Sequence, residues 1–376
     1  MPTALRIGVF SDVLAGHAWQ GMHSYVGSLV REWAREHELW SIASRPHPLD
    51  SEFAGQLVVK PWNLWWRRRQ IAARVDVLYC TVSRLPRYFF SIDKPKVVFI
   101  GGARRFVLQD SGLIGDPSAQ HLQLRAQHEQ VDRAITDSQV AKEEVVSHFR
   151  VAAEKVEVIY PGINPVAFYP PAEKSAARAA ACRRFELPGP YLLHVSNYRR
   201  FKNVPRIVAA YERLQELGVP PLALVLAGAS GLEEEELARA VGSCRRGRVI
   251  RLGPRSHEEL GDLYRGAEAF VFPSIHESFG RVVMESMACG TPVVTSNVSA
   301  LPEISGGAAV LVNPESVEEI AAATARLLRD AAFRAERGRA ALDRSREFRW
   351  GVCAQKYLQC FQRAIESFRS KKQRSR

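Results

Sequence analysis

Residues 269–294 read AFVFPSIHESFGRVVMESMACGTPVV. An apolar run rich in aromatic and β-branched residues leads into a polar loop closed by a glycine. A helical pattern follows (Val282, Val283, Met284, Met287), then a Cys-Gly-Thr-Pro stop and a second apolar run. That order predicts a strand, a crossover helix and a parallel strand, the unit from which α/β sheets are built. Two carboxylates sit in it with seven residues between them, Glu277 in the loop and Glu285 in the helix. With 40 acidic residues in the chain, such a spacing also arises by chance on solvated helix surface. Position gives it more meaning. A carboxylate at the mouth of a parallel sheet accepts hydrogen bonds from hydroxyls, and the backbone around Gly280, Arg281 and Val282, where the helix starts, offers N–H groups to an anion. The expected ligand has hydroxyls at two ends and a phosphate between them, as a nucleotide-sugar does.

At 376 residues, with 46% hydrophobic and 24% charged residues, the chain suits two globular domains with separate cores. No run of 18 apolar residues suggests a membrane span, and the N-terminus enters a strand pattern without the apolar core of a signal peptide. Six cysteines, none in a C-x-x-C pair, read as buried thiols of a reducing compartment rather than a zinc site. A cytoplasmic location is expected. The net charge of +12 is concentrated in two places, Trp62-Asn63-Leu64-Trp65-Trp66-Arg67-Arg68-Arg69 and the tail 369–376. Tryptophans beside arginines suit a peripheral contact with an anionic membrane face. The plainer reading packs the tryptophans inward, solvates the arginines and leaves the tail frayed. Nucleic acid is not an expected partner, since no finger spacing or aromatic RNA-binding motif accompanies the charge.

Along the chain, strand patterns at 5–10, 39–43, 57–59, 75–80, 96–100, 134–138 and 156–159 alternate with helical patterns, including one over 119–132. Gly21, where a helical pattern begins, would let backbone approach a phosphate or sugar. The proline- and glycine-rich stretch 161–171 marks a domain boundary near residue 168. The second half repeats the scheme, with strands at 191–196, 222–228 and 249–252. Helical patterns follow at 317–328 and 350–368. The first of these strands runs into a basic loop, Asn197-Tyr198-Arg199-Arg200-Phe201-Lys202-Asn203, which suits a diphosphate. The fold class expected is α/β, two doubly wound Rossmann-like domains facing a cleft.

The Glu-x(7)-Glu pattern of Glu277 and Glu285, with Tyr160-Pro161-Gly162-Ile163-Asn164, Lys202-Asn203 and Ser299-Ala300-Leu301-Pro302-Glu303, resembles the retaining family 4 glycosyltransferases of the GT-B fold. The resemblance runs over nearly the whole chain. It implies an acceptor-binding domain over 1–168, a donor-binding domain over 169–349, and a helix and basic tail over 350–376 that cross back to the first domain. It further implies transfer of a hexose from a donor such as GDP-mannose to a glycan or lipid-linked acceptor, in the manner of bacterial surface polysaccharide synthesis. Glu277 and Lys202 would be catalytic and Glu285 would hold the ribose. Arg199 or Arg200 would help bind the diphosphate, and Leu252-Gly253 would touch the base. No D-x-D motif occurs, so activity without a metal or other cofactor is expected. The pattern departs from the family at three places. Gln20 replaces the first of two glycines, Ser196 and Asn197 stand for Gly and Arg, and Gly101-Gly102 stands where relatives carry a His. Arg104 or Arg105 would then serve the acceptor side. A nucleotide-sugar-binding protein that has lost catalysis, and a basic protein for nucleic acid, are the alternatives from other classes.

Overall fold

A computed structural model of the chain describes residues 4–12, 20–44, 52–81, 85–110, 126–229 and 234–374. The first half of the helix expected over 119–132 lies outside them, as do the loop 13–19 and the last two residues of the tail; in the second half, helix covers 126–128 alone and a turn follows. The chain divides into two compact units, Met1–Gly162 with Arg349–Arg376, and Ile163–Phe348. The break precedes the expected position near residue 168, because the intervening residues pack on the second unit. The Phe168 ring lies 5.6 Å from His257 and 6.0 Å from Tyr264, and Arg265 Nη1 donates to the Ala167 carbonyl at 3.0 Å.

The first unit is a seven-stranded parallel sheet. Its strands are β1 (Arg6–Phe10), β2 (Glu38–Ala43), β3 (Gly55–Val58), β4 (Val77–Cys80), β5 (Lys96–Phe99), β6 (Arg133–Thr136) and β7 (Val156–Val158), in spatial order β3-β2-β1-β4-β5-β6-β7. Side chains alternate across a strand, so the apolar runs fill two cores at once. Val77, Tyr79, Val97 and Phe99 enter one core, while Leu78, Cys80, Val98 and Ile100 enter the other. The first of these cores is closed by the helices Gln20–Trp33 and Trp350–Arg374. Tyr25 and Tyr357 share a 2.5 Å hydroxyl hydrogen bond there, and Trp33 Nε1 donates to the Ala354 carbonyl at 3.3 Å. The helix continues to Arg374 through residues that the plainer reading would leave frayed. Lys371 pairs with Asp132 at 3.2 Å, and Lys372 pairs with Asp93.

The helix Leu64–Arg74 corrects the inward packing weighed for its tryptophans. Trp62, Trp65 and Trp66 are 80%, 62% and 51% exposed, whereas Ile71 is buried. Arg69 lies over the Trp65 ring at 4.5 Å and Arg67 over Trp66 at 4.8 Å.

The second unit has β8 (Tyr191–Val195), β9 (Ala223–Ala227), β10 (Arg248–Gly253), β11 (Ala269–Phe272), β12 (Val293–Ser296) and β13 (Val310–Val312). Their spatial order is β10-β9-β8-β11-β12-β13, all parallel. The order reverses between β8 and β11. In an open α/β sheet the crevice at the carboxyl ends of those two strands is where ligands bind. A helix over Ala331–Ser345, not expected from the sequence, packs on Arg281–Ala288. Its arginine-rich composition, AAFRAERGRAALDRS, masks the apolar stripe.

The ends of β8, β9 and β10 meet at Gly228. Its N–H donates to the Gly253 carbonyl at 2.8 Å, and its φ of +137° is one that side chains rarely adopt. A Cβ there would fall 1.7 Å from the Ser196 carbonyl oxygen. Gly228→Ala is therefore expected to destabilise the protein by roughly 3 kcal/mol or more, since both backbone strain and a backbone clash must be relieved. Urea melts of wild type and variant would measure this, and a midpoint within error of wild type would refute the close approach.

Candidate active site

The loop after β8 is fixed from below by a buried histidine. His194 has one ring nitrogen, Nδ1, 2.9 Å from the Val271 carbonyl, and its Nε2 lies 2.8 Å from Ser196 Oγ. A carbonyl only accepts, so Nδ1 carries the proton and Nε2 accepts from the serine hydroxyl. Burial pushes the imidazole pKa down to about 4, which keeps the ring neutral. Ser196 Oγ in turn accepts the Tyr198 N–H at 3.1 Å. The Ser196 hydroxyl is thus part of the loop's support.

Two further residues lace this loop to the one after β11. Asn203, buried with a left-handed φ of +64°, donates from Nδ2 to the carbonyls of Pro273 (2.9 Å) and Pro314 (2.6 Å). The Phe201 carbonyl accepts from the Ile275 N–H at 2.7 Å and from Ser274 Oγ at 2.9 Å. Lys202 is held between them, its ammonium 5.1 Å from both the Phe201 and Phe272 ring centroids and paired with Glu277 Oε1. Both side chains are largely shielded from solvent, at 14% and 10% exposure. Ser274 Oγ lies 2.8 Å from the same carboxylate oxygen, its single proton shared between that oxygen and the Phe201 carbonyl. The Glu277 backbone is clamped on both sides by one hydroxyl. Ser299 Oγ accepts its N–H at 3.0 Å and donates to its carbonyl at 2.6 Å. Ser299 itself has a φ of +60°. Sequence reading picked out Glu277 and Lys202 but missed their direct pairing, as well as Ser274 and His194. Serines and a histidine beside an apolar strand carry no signal until the two loops are brought together.

Gly280 begins the helix Arg281–Ala288 with a φ of +96°, and a Cβ there would meet Leu301 at 2.6 Å. The glycine cap leaves the helix entrance, at Arg281 and Val282, unobstructed by a capping side chain. Glu285 is buried in this helix, with the Tyr264 hydroxyl 3.4 Å from its Oε2. Burial raises its carboxyl pKa to about 7, against a lowering by the Arg281 charge and the tyrosine hydrogen bond.

The remaining sequence-predicted residues are dispersed. Arg199 is exposed and precedes a short turn, while Arg200 turns outward to Glu236 at 3.6 Å. Leu252 and Gly253 lie half-buried at the end of β10. In the first unit, Gly21 is the second residue of the helix Gln20–Trp33 rather than part of the preceding loop. After β5, Gly102 takes a φ of +81° and the Ala103 N–H donates to Glu144 Oε2 at 2.7 Å. Arg104 is exposed at the head of the helix Arg104–Asp110; the side chain of Arg105 is outside the described residues.

Two Rossmann-like units, the second with a carboxylate–ammonium pair at its switch point, define a GT-B architecture. Comparison with known structures agrees. The chain is similar to Anabaena Alr3699/HepE, crystallised with UDP and glucose, with a TM-score of 0.76 at 16% identity over 94% of this chain and 98% of that one. Residues 183–344 match the family model "Glycosyl transferases group 1", and residues 19–166 match "Glycosyltransferase Family 4". The chain belongs to glycosyltransferase family 4. Among characterised relatives it is 29% identical to the serotype-specific mannosyltransferase WbdA of Escherichia coli, over 69% of this chain and 32% of that protein. It is also 29% identical to the O-antigen chain mannosyltransferase B of Escherichia coli, over 62% of each. The matched region thus spans about a third of one relative and about three fifths of the other.

Proposed function

We propose that the chain is a retaining hexosyltransferase that moves a sugar from a nucleotide diphosphate, GDP-mannose or a related donor, to a glycan or lipid-linked acceptor in surface polysaccharide synthesis. The observation that carries this reading is the Lys202–Glu277 pair, shielded from solvent at the carboxyl ends of β8 and β11. An ammonium has three protons. One engages Glu277, which leaves the others for a diphosphate, while the second carboxylate oxygen of Glu277 accepts from donor-sugar hydroxyls. The N–H groups of Arg281 and Val282 add to the field that stabilises charge as it develops on the departing phosphate. Glu285 accepts from the ribose, and Leu252-Gly253 border the base. Arg199 adds its charge to the diphosphate, and Arg200 does so on leaving Glu236. The departing phosphate, rather than Glu277, takes the acceptor's proton. Arg104 and Arg105 serve the acceptor side, in a cytoplasmic enzyme that meets its acceptor at the inner membrane face. The mannosyltransferase relatives support a mannose donor, and the UDP and glucose bound by the Anabaena protein keep UDP-hexoses in the test.

The test is a thermal-shift panel of GDP-, UDP-, ADP- and dTDP-sugars, followed by transfer assays with the stabilising donor and membrane lipid extract. One donor is expected to stabilise and to turn over. Stabilisation without turnover would favour a binding protein that has lost catalysis. Because cationic side chains and a helix start serve the diphosphate, transfer is also expected to survive chelation. A loss of tenfold or more with EDTA, restored by a divalent ion, would overturn metal-independent catalysis.

A further inference from the structure

Three of the protein's large exposed apolar side chains fall within five residues of one another, at Trp62, Trp65 and Trp66. They are not scattered around the helix. Positions 61, 62, 65, 66, 69 and 73 are the exposed ones, and from Trp62 onward their spacing of three and four draws a single stripe. The inward side of the same helix is held by Ile71 and by the half-buried Leu64. An ordinary surface helix turns its largest apolar groups to the core; this one turns its tryptophans to solvent and stacks arginines on two of them.

The topology places the stripe. Pro61–Asn63 follows the carboxyl end of β3, so Trp62 and the first turns after it lie at the carboxyl rim of the first sheet. The Gly101-Gly102 loop leaves the carboxyl end of β5 at the same rim. In the order β3-β2-β1-β4-β5 the two are four strand spacings apart, about 19 Å.

We propose that this stripe docks the first unit on an anionic lipid surface, with Trp62, Trp65 and Trp66 in the headgroup layer and Arg69, flanked by the half-buried Arg67 and Arg68, against lipid phosphates. The inference rests on the acceptor assignment above only for its purpose, which is to bring the carboxyl rim of the first unit to lipid-linked acceptors. The docking itself needs no donor. Tryptophan suits the boundary layer because its ring is apolar and its N–H polar. A guanidinium over each of two rings keeps a cation at the same depth as the aromatic. No helix among the described residues is long and apolar enough to cross a membrane, so contact through these helices would be peripheral.

The experiment is co-sedimentation of the full chain with vesicles of phosphatidylethanolamine and phosphatidylglycerol (3:1), and with pure phosphatidylcholine, without donor. Wild type is expected to bind the anionic vesicles at least tenfold more tightly than the neutral ones. The W62S/W65S/W66S variant should lose at least tenfold of that binding, with an unchanged melting temperature because the rings are exposed. Each Arg→Gln change at 67, 68 or 69 should cost about fivefold, the factor expected of one basic residue near an anionic surface. Equal binding by wild type and the serine variant would overturn the proposal. So would a concentration-dependent dimer of wild type that the serine variant abolishes, which would assign the stripe to a second copy. Donor stabilisation in the thermal-shift panel is read separately, so loss of the catalytic reading leaves the vesicle result standing.

Discussion

Glu277→Ala is expected to lower kcat by about a hundredfold or more while leaving donor affinity unchanged or slightly tighter. The reason is the ion pair. Glu277 and the donor diphosphate both draw on the ammonium of Lys202, a largely shielded cation held between two aromatic rings. Removing the carboxylate leaves a cation without its counter-charge, and the diphosphate becomes its best remaining partner. Ground-state binding is thereby preserved. What disappears is the acceptor for sugar hydroxyls and the group that holds the ammonium in place as the glycosidic bond breaks. Steady-state kinetics with the stabilising donor, together with calorimetric binding, separate the two quantities. A loss of affinity with kcat unchanged would mean that Glu277 serves binding alone, and a fully active variant would remove it from the site.

The second large effect concerns Glu285 and carries a pH signature. Its folded pKa of about 7 lies above the ordinary 4.5 because the carboxyl is buried. A raised pKa means that the folded state holds this proton more tightly than the unfolded chain. The group's contribution to stability is full below pH 4.5 and is lost as pH rises through 7. Glu285→Gln, which cannot ionise, should accordingly be more stable than wild type at pH 8 by roughly 3 kcal/mol, with the gain vanishing near pH 4.5. Binding runs the other way. A ribose hydroxyl donates best to the ionised carboxylate, so wild-type donor affinity should fall by up to about tenfold per unit as pH drops below 7. The glutamine variant should bind weakly and without that slope. Melts and donor titrations from pH 5 to 8 test both halves. A variant that matches wild type in stability at pH 8 would show that the carboxyl is better solvated than its surroundings suggest.

Much of this site was legible because backbone rules and side-chain chemistry coincide there. The apolar runs that became β8 and β11 carry buried-strand patterns, Gly280 announces a helix start, and Lys202 and Glu277 occupy the loops that follow. The Glu285 helix was visible from its spacing of valines and methionines. What could not be read was long-range pairing between residues of ordinary type. Ser299 clamps the backbone of Glu277 from 22 positions away, and Asn203 reaches Pro314 across 111. The sequence leaves the tryptophans open between an outward and an inward placement. Hydrophobicity alone would send them inward, but Ile71 and Leu64 already hold the inner face of that helix, leaving Trp62, Trp65 and Trp66 outside. Arg200 was a reasonable candidate for the diphosphate by proximity to Lys202, and the carboxylate of Glu236 explains its outward turn.

The last helix belongs to the first unit, and that has a consequence for how the chain comes off the ribosome. Residues up to Gly162 emerge before the partners that complete the cover of Tyr25, Trp33 and Tyr79, since Ala354, Tyr357 and Phe361 arrive last. The whole of Ile163–Phe348 is synthesised in between, about 10–40 s at typical translation rates. During that interval the aromatic core of the first unit lacks the helix Trp350–Arg374 that closes it. The second unit, contiguous in sequence, can complete its core while the first is still waiting.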